Sequence, residues 1–343
     1  MRNVESLETR RLFASFAASS VAELISDMNA ANAAGGSNTI TLAAGATFNL
    51  SAVDNSTDGP TGLPVIAAGD DLTLVGNGAT LQRSTARGIP AFRLLDVAAG
   101  ASLAVSDLTL SYGLSVDGSV FPYASPQGGA IRSLGTLTLA RVTVENCVAQ
   151  AGGINGPAFG GGIFSGGASA VLTIADSTIR NNRALGANGV QITANFQATG
   201  GGPAYGGGVY AYGSSASLTN VTIDSNVAAG GNGAAGYSMK IFKSPTAVAG
   251  GPGGNAYGGG IYAAATTGVE LRGTTVTRNA ATGGAGGNSP KGLAKGANGL
   301  GQGGGIYVYP GASASLDSFT QGHTTGNTAS TSDNDIFGSF TIL

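Results

Sequence analysis

Five times along the chain a run of glycines leads straight into a branched aliphatic residue: Gly128-Gly129-Ala130-Ile131, Gly160-Gly161-Gly162-Ile163, Gly206-Gly207-Gly208-Val209, Gly258-Gly259-Gly260-Ile261 and Gly303-Gly304-Gly305-Ile306. About 16 to 19 residues after the first four aliphatics a second anchor closes: Val144-Glu145-Asn146-Cys147, Ile179-Arg180-Asn181-Asn182, Ile223-Asp224-Ser225-Asn226 and Val276-Thr277-Arg278-Asn279. Self-similarity of this kind makes each period one structural unit that stacks on the next, because a single unit cannot bury its apolar side alone.

Aligning the repeats on the second anchor produces columns. Leu139, Ile174, Leu218 and Leu271 share one, and Val144, Ile179, Ile223 and Val276 another, as expected for inward side chains piled along an axis. Thr143, Thr178, Thr222 and Thr275 fall just before the second column, where strand alternation points outward, and Glu145, Arg180, Asp224 and Thr277 fall just after it. The last anchor position reads Cys147, Asn182, Asn226, Asn279. An asparagine recurring at a bend can hydrogen-bond its copies above and below, and a buried cysteine can end such a ladder as a small apolar substitute. In-register columns require strands that pair with their equivalents one coil away, about 4.8 Å apart. The expected architecture is an all-β, single-stranded parallel β-helix, right-handed as nearly all parallel crossovers are. A β-sandwich has no reason to repeat the same glycine triplet and bend residue.

Composition agrees. With 42% hydrophobic residues the chain can bury a large core despite 60 glycines, and with 10% charged residues and no Trp its vocabulary is that of short strands and tight turns. A net charge of −2 gives no field to gather nucleic acid or anionic lipid, and no stretch approaches the ~18 apolar residues of a membrane span. The single cysteine rules out an internal disulfide.

The ends are read separately. Residues 1–19 form a candidate export or sorting segment: Thr9-Arg10-Arg11-Leu12-Phe13 looks like a twin-arginine signal, followed by a short apolar stretch to Ala18. Ser6-Leu7-Glu8-Thr9-Arg10-Arg11-Leu12-Phe13 also resembles the Leu-Glu-x-Arg-x-Leu-Leu tag at the start of many secreted and surface proteins of certain bacteria. Residues 20–36 are expected to form a capping helix, with Ser20 and Glu23 as a capping box and Val21, Leu24, Ile25 and Met28 at helical spacing. Residues 37–343 are then one solenoid, whose early coils carry the strand-like runs Thr39–Leu42, Leu63–Ile66, Leu72–Val75, Phe92–Val97 and Leu103–Leu110. The apolar segment 337–343 either closes the stack or extends it end to end to a second molecule.

The pairing of Gly-Gly-(Ala/Gly)-Ile/Val with a later aliphatic-x-x-Asn resembles the repeats of bacterial polymorphic outer-membrane proteins, within the pectate-lyase-like β-helix superfamily. It covers about Gly128 to Gly322. The family's Phe is replaced by Val144, Ile179, Ile223 and Val276 and kept only as Phe319, and no translocator barrel is expected within these 343 residues. The resemblance implies a β-helix in a secreted or cell-surface setting, with adhesion as an inference by analogy.

Chemistry has few places to sit. The stretches 149–159, 184–205, 227–257 and 280–302 vary in length at one corner of the repeat, so they should lie side by side, as function-bearing loops on a rigid scaffold do. None contains Asp or Glu, which removes the oxygen ligands that a calcium-dependent pectate lyase would need, whereas Lys240, Lys243, Lys291 and Lys295 all fall in them. A glycoside hydrolase needs two carboxyl groups roughly 5 to 10 Å apart. Glu145 and Asp224 come close to that arrangement, but Arg180 between them reads as a salt-bridge ladder. The one histidine, His323, has no nucleophile elbow to serve. Asp333-Asn334-Asp335 reads as a turn rather than a cation clasp, and strings such as Gly230-Gly231-Asn232-Gly233 read as turns. Ice or crystal binding by the threonine column would need threonine in the flanking column, where Glu145, Arg180 and Asp224 stand.

The recognition candidates are aromatic. Phe164, Tyr210, Tyr262 and Tyr307 follow the aliphatic after each triplet, and Phe159, Tyr205 and Tyr257 precede a triplet. Two such columns could hold sugar rings, with Lys240, Lys243, Lys291 and Lys295 attracting acidic groups, or could pack as an aromatic ladder beneath the loops. The sequence therefore suggests a structural or adhesive module with no catalytic residue, metal or cofactor, whose partner is a cell-surface polysaccharide or another surface protein. A carbohydrate-binding or polysaccharide-degrading β-helix is the alternative.

Overall fold

The computed structural model describes residues 14–116, 125–192, 197–213, 215–241 and 244–343. Parallel strands from successive coils stack into long sheets that wrap one apolar core, so the fold is a parallel β-helix. The register is the one the columns require. Thr143-Val144-Glu145 pairs with Thr178-Ile179-Arg180, that strand with Thr222-Ile223-Asp224, and that one with Thr275-Val276-Thr277. Val144, Ile179, Ile223 and Val276 are fully buried, as are Leu139, Ile174 and Leu271.

One turn of the spiral illustrates the rest. Ile131–Ser133 lies in a first sheet, then Thr136–Ala140 and Thr143–Glu145 cross the longest sheet with a bend between them. Val148–Gln150 forms a third sheet, and Ala158–Phe159 a fourth, four-stranded one before the next triplet. Both bends use left-handed backbone. Arg141, Asp176 and Asn220 have φ of 49 to 56°, and Asn146, Asn181, Ser225 and Arg278 have φ of 55 to 56° immediately before the ladder position. Residues that tolerate this conformation are enriched there.

The glycine triplet has a separate reason for each member. Gly128, Gly160, Gly206, Gly258 and Gly303 all have φ between 61 and 64°, the left-handed region. A Cβ on the second glycine would strike the carbonyl of the next coil, as Gly161 would that of Gly207. A Cβ on the third would press on the ladder amide, 3.0 Å from Asn182 at Gly162 and 3.1 Å from Asn226 at Gly208. By the same register Ala130 faces Cys147, so the one triplet with a methyl group coincides with the one ladder position without an amide.

The N-terminal end is covered as expected. Val21–Ala34 is an α-helix, with Ser20 Oγ accepting the Glu23 N–H at 3.2 Å and the Glu23 carboxylate accepting the Ser19 N–H at 2.7 Å. Leu24, Met28 and Ala31 are buried against the first coils. Ahead of it Ala14–Ala18, which the sequence reading placed in the export segment, pairs in parallel with Gly36–Leu42 and forms the outermost strand of the long sheet. The rest of that segment, 1–13, lies outside the described residues. Among the described residues no helix is long and apolar enough to cross a membrane.

Candidate functional site

The asparagine ladder runs unbroken through the core. Asn182 Oδ1 accepts the Cys147 N–H at 3.0 Å, Asn226 Oδ1 accepts both the N–H and the side-chain amide of Asn182 at 3.0 Å, and Asn279 Oδ1 does the same for Asn226. Each amide also donates to a carbonyl one coil back, Asn182 to Val144 and Asn226 to Ile179, both at 2.9 Å. Two members escaped sequence reasoning. Asn327 continues the ladder, accepting from Asn279 at 2.9 Å, and Asp335 terminates it, its carboxylate accepting Asn327 N–H at 3.1 Å and its amide at 2.8 Å. Asp333-Asn334-Asp335 therefore stands where earlier coils have the triplet: backbone carbonyls of all three accept N–H groups of Gly304, Gly305 and Ile306. Cys147 ends the other side. Its thiol donates to the Glu145 carbonyl at 3.2 Å, and complete burial pushes its pKa up to about 12.

The two aromatic columns face each other. Phe164, Tyr210, Tyr262, Tyr307 and Phe337 stack face to face at 4.6 to 5.2 Å with interplanar angles of 2 to 6°. Phe159, Tyr205 and Tyr257 stack at 5.1 and 5.6 Å alongside, and each meets the first column edge to face or tilted, as Tyr205 meets Tyr262 at 5.1 Å and 74°. Phe164, Tyr262 and Tyr307 are buried, with 5 to 7% of their surface exposed. Ring faces are thus occupied by other rings, leaving no open face for a sugar on these three; each pair contributes about 0.5–1.5 kcal/mol. Burial raises the phenol pKa values of Tyr205, Tyr210, Tyr257 and Tyr262, and pushes Tyr307 up to about 12. The first column is continued in the other direction by ions: Phe164 pairs in register with Arg132, and Arg132 with Asp96, which salt-bridges both Arg132 at 2.9 Å and buried Arg93 at 3.2 Å. Exposed rings lie at the margin, Tyr212 and Tyr309.

The inserts leave the spiral between strands such as Arg183–Leu185 and Ala204–Tyr205, over a column of buried alanines that includes Ala184, Ala204, Ala228 and Ala256. They are not the turns their composition suggested. Outgoing segments 186–190, 230–236 and 283–288 bond to one another through Gly186, Gly189, Gly230, Gly233 and Gly236 N–H groups, donors spaced three residues apart. Returning segments 199–203, 250–255 and 296–300 form a second layer. A zigzag of backbone bonds crosses between them: Gly202 N–H to Ala187, Gly231 to Gly202, Gly254 to Gly231, Gly284 to Gly254 and Gly299 to Gly284, at 2.7 to 2.9 Å. Three residues per turn is the period of the polyproline II helix. The long inserts form a two-layer slab with this three-residue spacing, and glycine is required because a Cβ at Gly201, Gly231, Gly254 or Gly284 would run into a neighbouring backbone carbonyl.

This slab places Lys291 and Lys295 apart from the rings. Lys240 sits in the backbone of a hairpin at the outer end of the second long insert, Tyr237–Ile241 paired with Ser244–Val248. Lys243 lies outside the described residues. Lys291 and Lys295 are exposed at the outer end of the third, whereas the aromatic columns lie at the inserts' base. The slab's outer surface carries exposed Asn188, Asn232 and Asn288, with Asn188 Oδ1 accepting Asn232 N–H at 2.8 Å and Asn232 Oδ1 accepting Ala285 N–H at 2.9 Å.

The carboxylates stay separate. Glu145 bonds Arg180 at 2.6 Å, while Asp224 turns to the following coil and meets Arg278 at 2.7 Å and Thr277 at 3.0 Å. The threonine column is longer than the repeats show, running Thr47, Thr80, Thr109, Thr143, Thr178, Thr222, Thr275, but it lies between this charged column and a second one holding the Arg141–Asp107 pair. His323 is exposed, stacked on Phe319 at 3.8 Å, with Nδ1 2.8 Å from the Phe319 carbonyl. No group of three or more His, Cys, Asp or Glu side chains placed to hold a metal ion occurs among the described residues. No protein-family model matches the sequence, and no curated protein matches it.

Proposed function

We propose that the chain is a non-catalytic structural and adhesive module, carried to a secreted or cell-surface setting, that presents its insert slab for recognition. The observation that carries this reading is the slab itself: it is built at one corner of the repeat, it is locked by backbone bonds, and it carries an exposed stack of asparagines with no Asp or Glu in its insert segments. Such a surface suits shape and hydrogen-bond complementarity better than acid–base chemistry. The likeness of the Gly-triplet and aliphatic-x-x-Asn repeats to those of polymorphic outer-membrane proteins supports the surface setting, as does the arginine-containing segment at residues 9–13.

The test is retention of the purified protein on bacterial cell-surface preparations, with Asn232→Arg and Ala285→Arg on the slab as variants and polysaccharide cleavage measured in parallel. Retention that the variants reduce, without cleavage, is expected. Cleavage of an acidic polysaccharide would sink the reading. Carbohydrate binding is the second reading, favoured by exposed Tyr212 and Tyr309 beside the buried rings. A glycan array on which Tyr212→Ala and Tyr309→Ala abolish a signal would select it.

A further inference from the structure

Each returning segment of the slab hands over to the next rung through the same three backbone groups. In the first, Thr199 and Gly202 carbonyls accept the Ala234 and Gly231 N–H groups at 3.0 and 2.9 Å, and Gly201 N–H donates to the Pro252 carbonyl at 2.9 Å. In the second, Gly251 and Gly254 carbonyls accept Gly287 and Gly284, and Gly253 N–H donates to Ala297, all at 2.8 Å. In the third the equivalents are the Gly296 and Gly299 carbonyls and the Asn298 N–H, and none of these has a partner among the described residues.

The neighbouring donors at this edge are already satisfied by side chains. Gly283 N–H bonds Ser330 Oγ at 2.9 Å, Gly286 N–H bonds Asn298 Oδ1 at 3.0 Å and Gly301 N–H bonds Thr331 Oγ1 at 3.1 Å. Beside them runs an open groove of about 330 Å³, bounded by Gly283 to Ala285, Asn298 to Leu300, Ser330 and Thr331. The edge thus offers two acceptors three residues apart, whose counterparts in the earlier rungs take N–H groups of the next outgoing segment, and one donor between them, whose counterparts meet a carbonyl of the next returning segment.

We propose that this edge binds an extended, uncharged glycine-repeat segment of another polypeptide as a fourth rung of the slab. Two of its N–H groups, three residues apart, meet the Gly296 and Gly299 carbonyls, as outgoing segments meet the carbonyls of the earlier rungs. The earlier occupants of the donor positions are Gly231 with Ala234 and Gly284 with Gly287, and a Cβ at Gly231 or Gly284 would strike the preceding rung. The ligand must therefore read Gly-x-x-Gly or Gly-x-x-Ala at the contact. A second copy of this chain is a poor donor, because its described glycine-rich insert segments are already held inside its own slab. The inference concerns the edge alone and goes beyond the adhesive reading, with which it shares no measurement.

The experiment is a titration of the full chain with a synthetic peptide matching residues 228–236, Ala-Ala-Gly-Gly-Asn-Gly-Ala-Ala-Gly, following amide hydrogen exchange by NMR. Exchange of the peptide amides at the places of Gly231 and Ala234 should slow severalfold in the presence of the chain, and a peptide with valine at those two places should show no slowing. Ala285→Trp, or Leu300→Trp if the first variant fails to fold, should occlude the groove and abolish the effect. Unaltered exchange of these peptide amides with the chain at millimolar concentration overturns the proposal. So does concentration-dependent self-association that protects Asn298 without peptide, since that would make the occupant a second copy.

Discussion

Replacing Asn226 by Ala removes the central rung of the ladder without touching the strand pairing. The side chain accepts from the backbone N–H and the amide of Asn182 and donates to the Ile179 carbonyl, all at 2.9 to 3.0 Å, and Asn182 and Asn226 are fully buried. Deletion removes the acceptor of the Asn182 backbone N–H and of one Asn182 side-chain N–H, and a donor to the Ile179 carbonyl, while the Asn182 amide keeps its bond to the Val144 carbonyl. Each group left unpaired in this way costs about 1–3 kcal/mol, and because one water can re-pair some of them the expected loss is about 3–6 kcal/mol. That is a large part of the ~5–15 kcal/mol by which a domain of ordinary stability exceeds its unfolded state. Asn232→Ala is the internal control: it too sits in a stack of asparagines, but an exposed one, where water replaces the lost bonds and the change should stay within about 0.5 kcal/mol. Urea unfolding of both variants, with hydrogen exchange at Asn182 to localise the effect, measures the difference. A loss below about 1 kcal/mol for Asn226→Ala, or equal losses for the two, would refute the view that burial makes the ladder matter.

Gly254→Ala should destabilise by about 2 kcal/mol or more, since the added methyl meets the Gly202 carbonyl, whereas Gly268→Ala, whose Cβ would find only Ser313 Oγ at 3.5 Å, should be neutral or better; thermal unfolding with limited proteolysis of the slab compares them. The raised tyrosine pKa values set a direction in alkali. A phenol that ionises near 10 when unfolded and near 12 when folded, as Tyr307 does, contributes stability that is complete below pH 10 and is lost as pH climbs through 12; near-UV titration of phenolate should show this delayed fraction, and ionisation complete by pH 10.5 would contradict it. Cys147, buried with its thiol pushed up to about 12, should resist thiol-specific reagents in the native state and react once the chain is unfolded; rapid native labelling would show that the ladder's end is open. Cys147→Asn should destabilise, because the Ala130 methyl stands where the other coils leave space for the ladder amide, and adding Ala130→Gly should restore stability; equal stability of the single and double variants on thermal unfolding would contradict the pairing of Ala130 with Cys147.

Much of the scaffold is legible because stacking coils place like on like. Val144, Ile179, Ile223 and Val276 have to share a column once their strands pair in register, and the asparagine ladder follows from the same register, so both can be read by aligning repeats. Asn327 and Asp335 were missed for the complementary reason: the last coil lacks the aliphatic-x-x-Asn spelling and has Asp333-Asn334-Asp335 where a triplet belongs. The aromatic columns were legible as columns, but not in what they face. Alternation along a strand assigns a side chain to a face of its own sheet, whereas the meeting of Tyr205 with Tyr262 depends on the angle between two sheets.

The repeat of glycine triplets, aliphatic anchors and bend asparagines by itself determined that this chain winds into a parallel β-helix with a capped start and its growth at one corner. Only the tertiary structure decided that the grown corner is an ordered slab. Its bonds run between backbone groups of segments far apart in the chain, and glycine, which has no side chain, records in the sequence that something must come close without recording what. The same holds for the edge at Gly296, Asn298 and Gly299: whether a carbonyl is free is a property of the neighbouring rung, not of the residue that carries it.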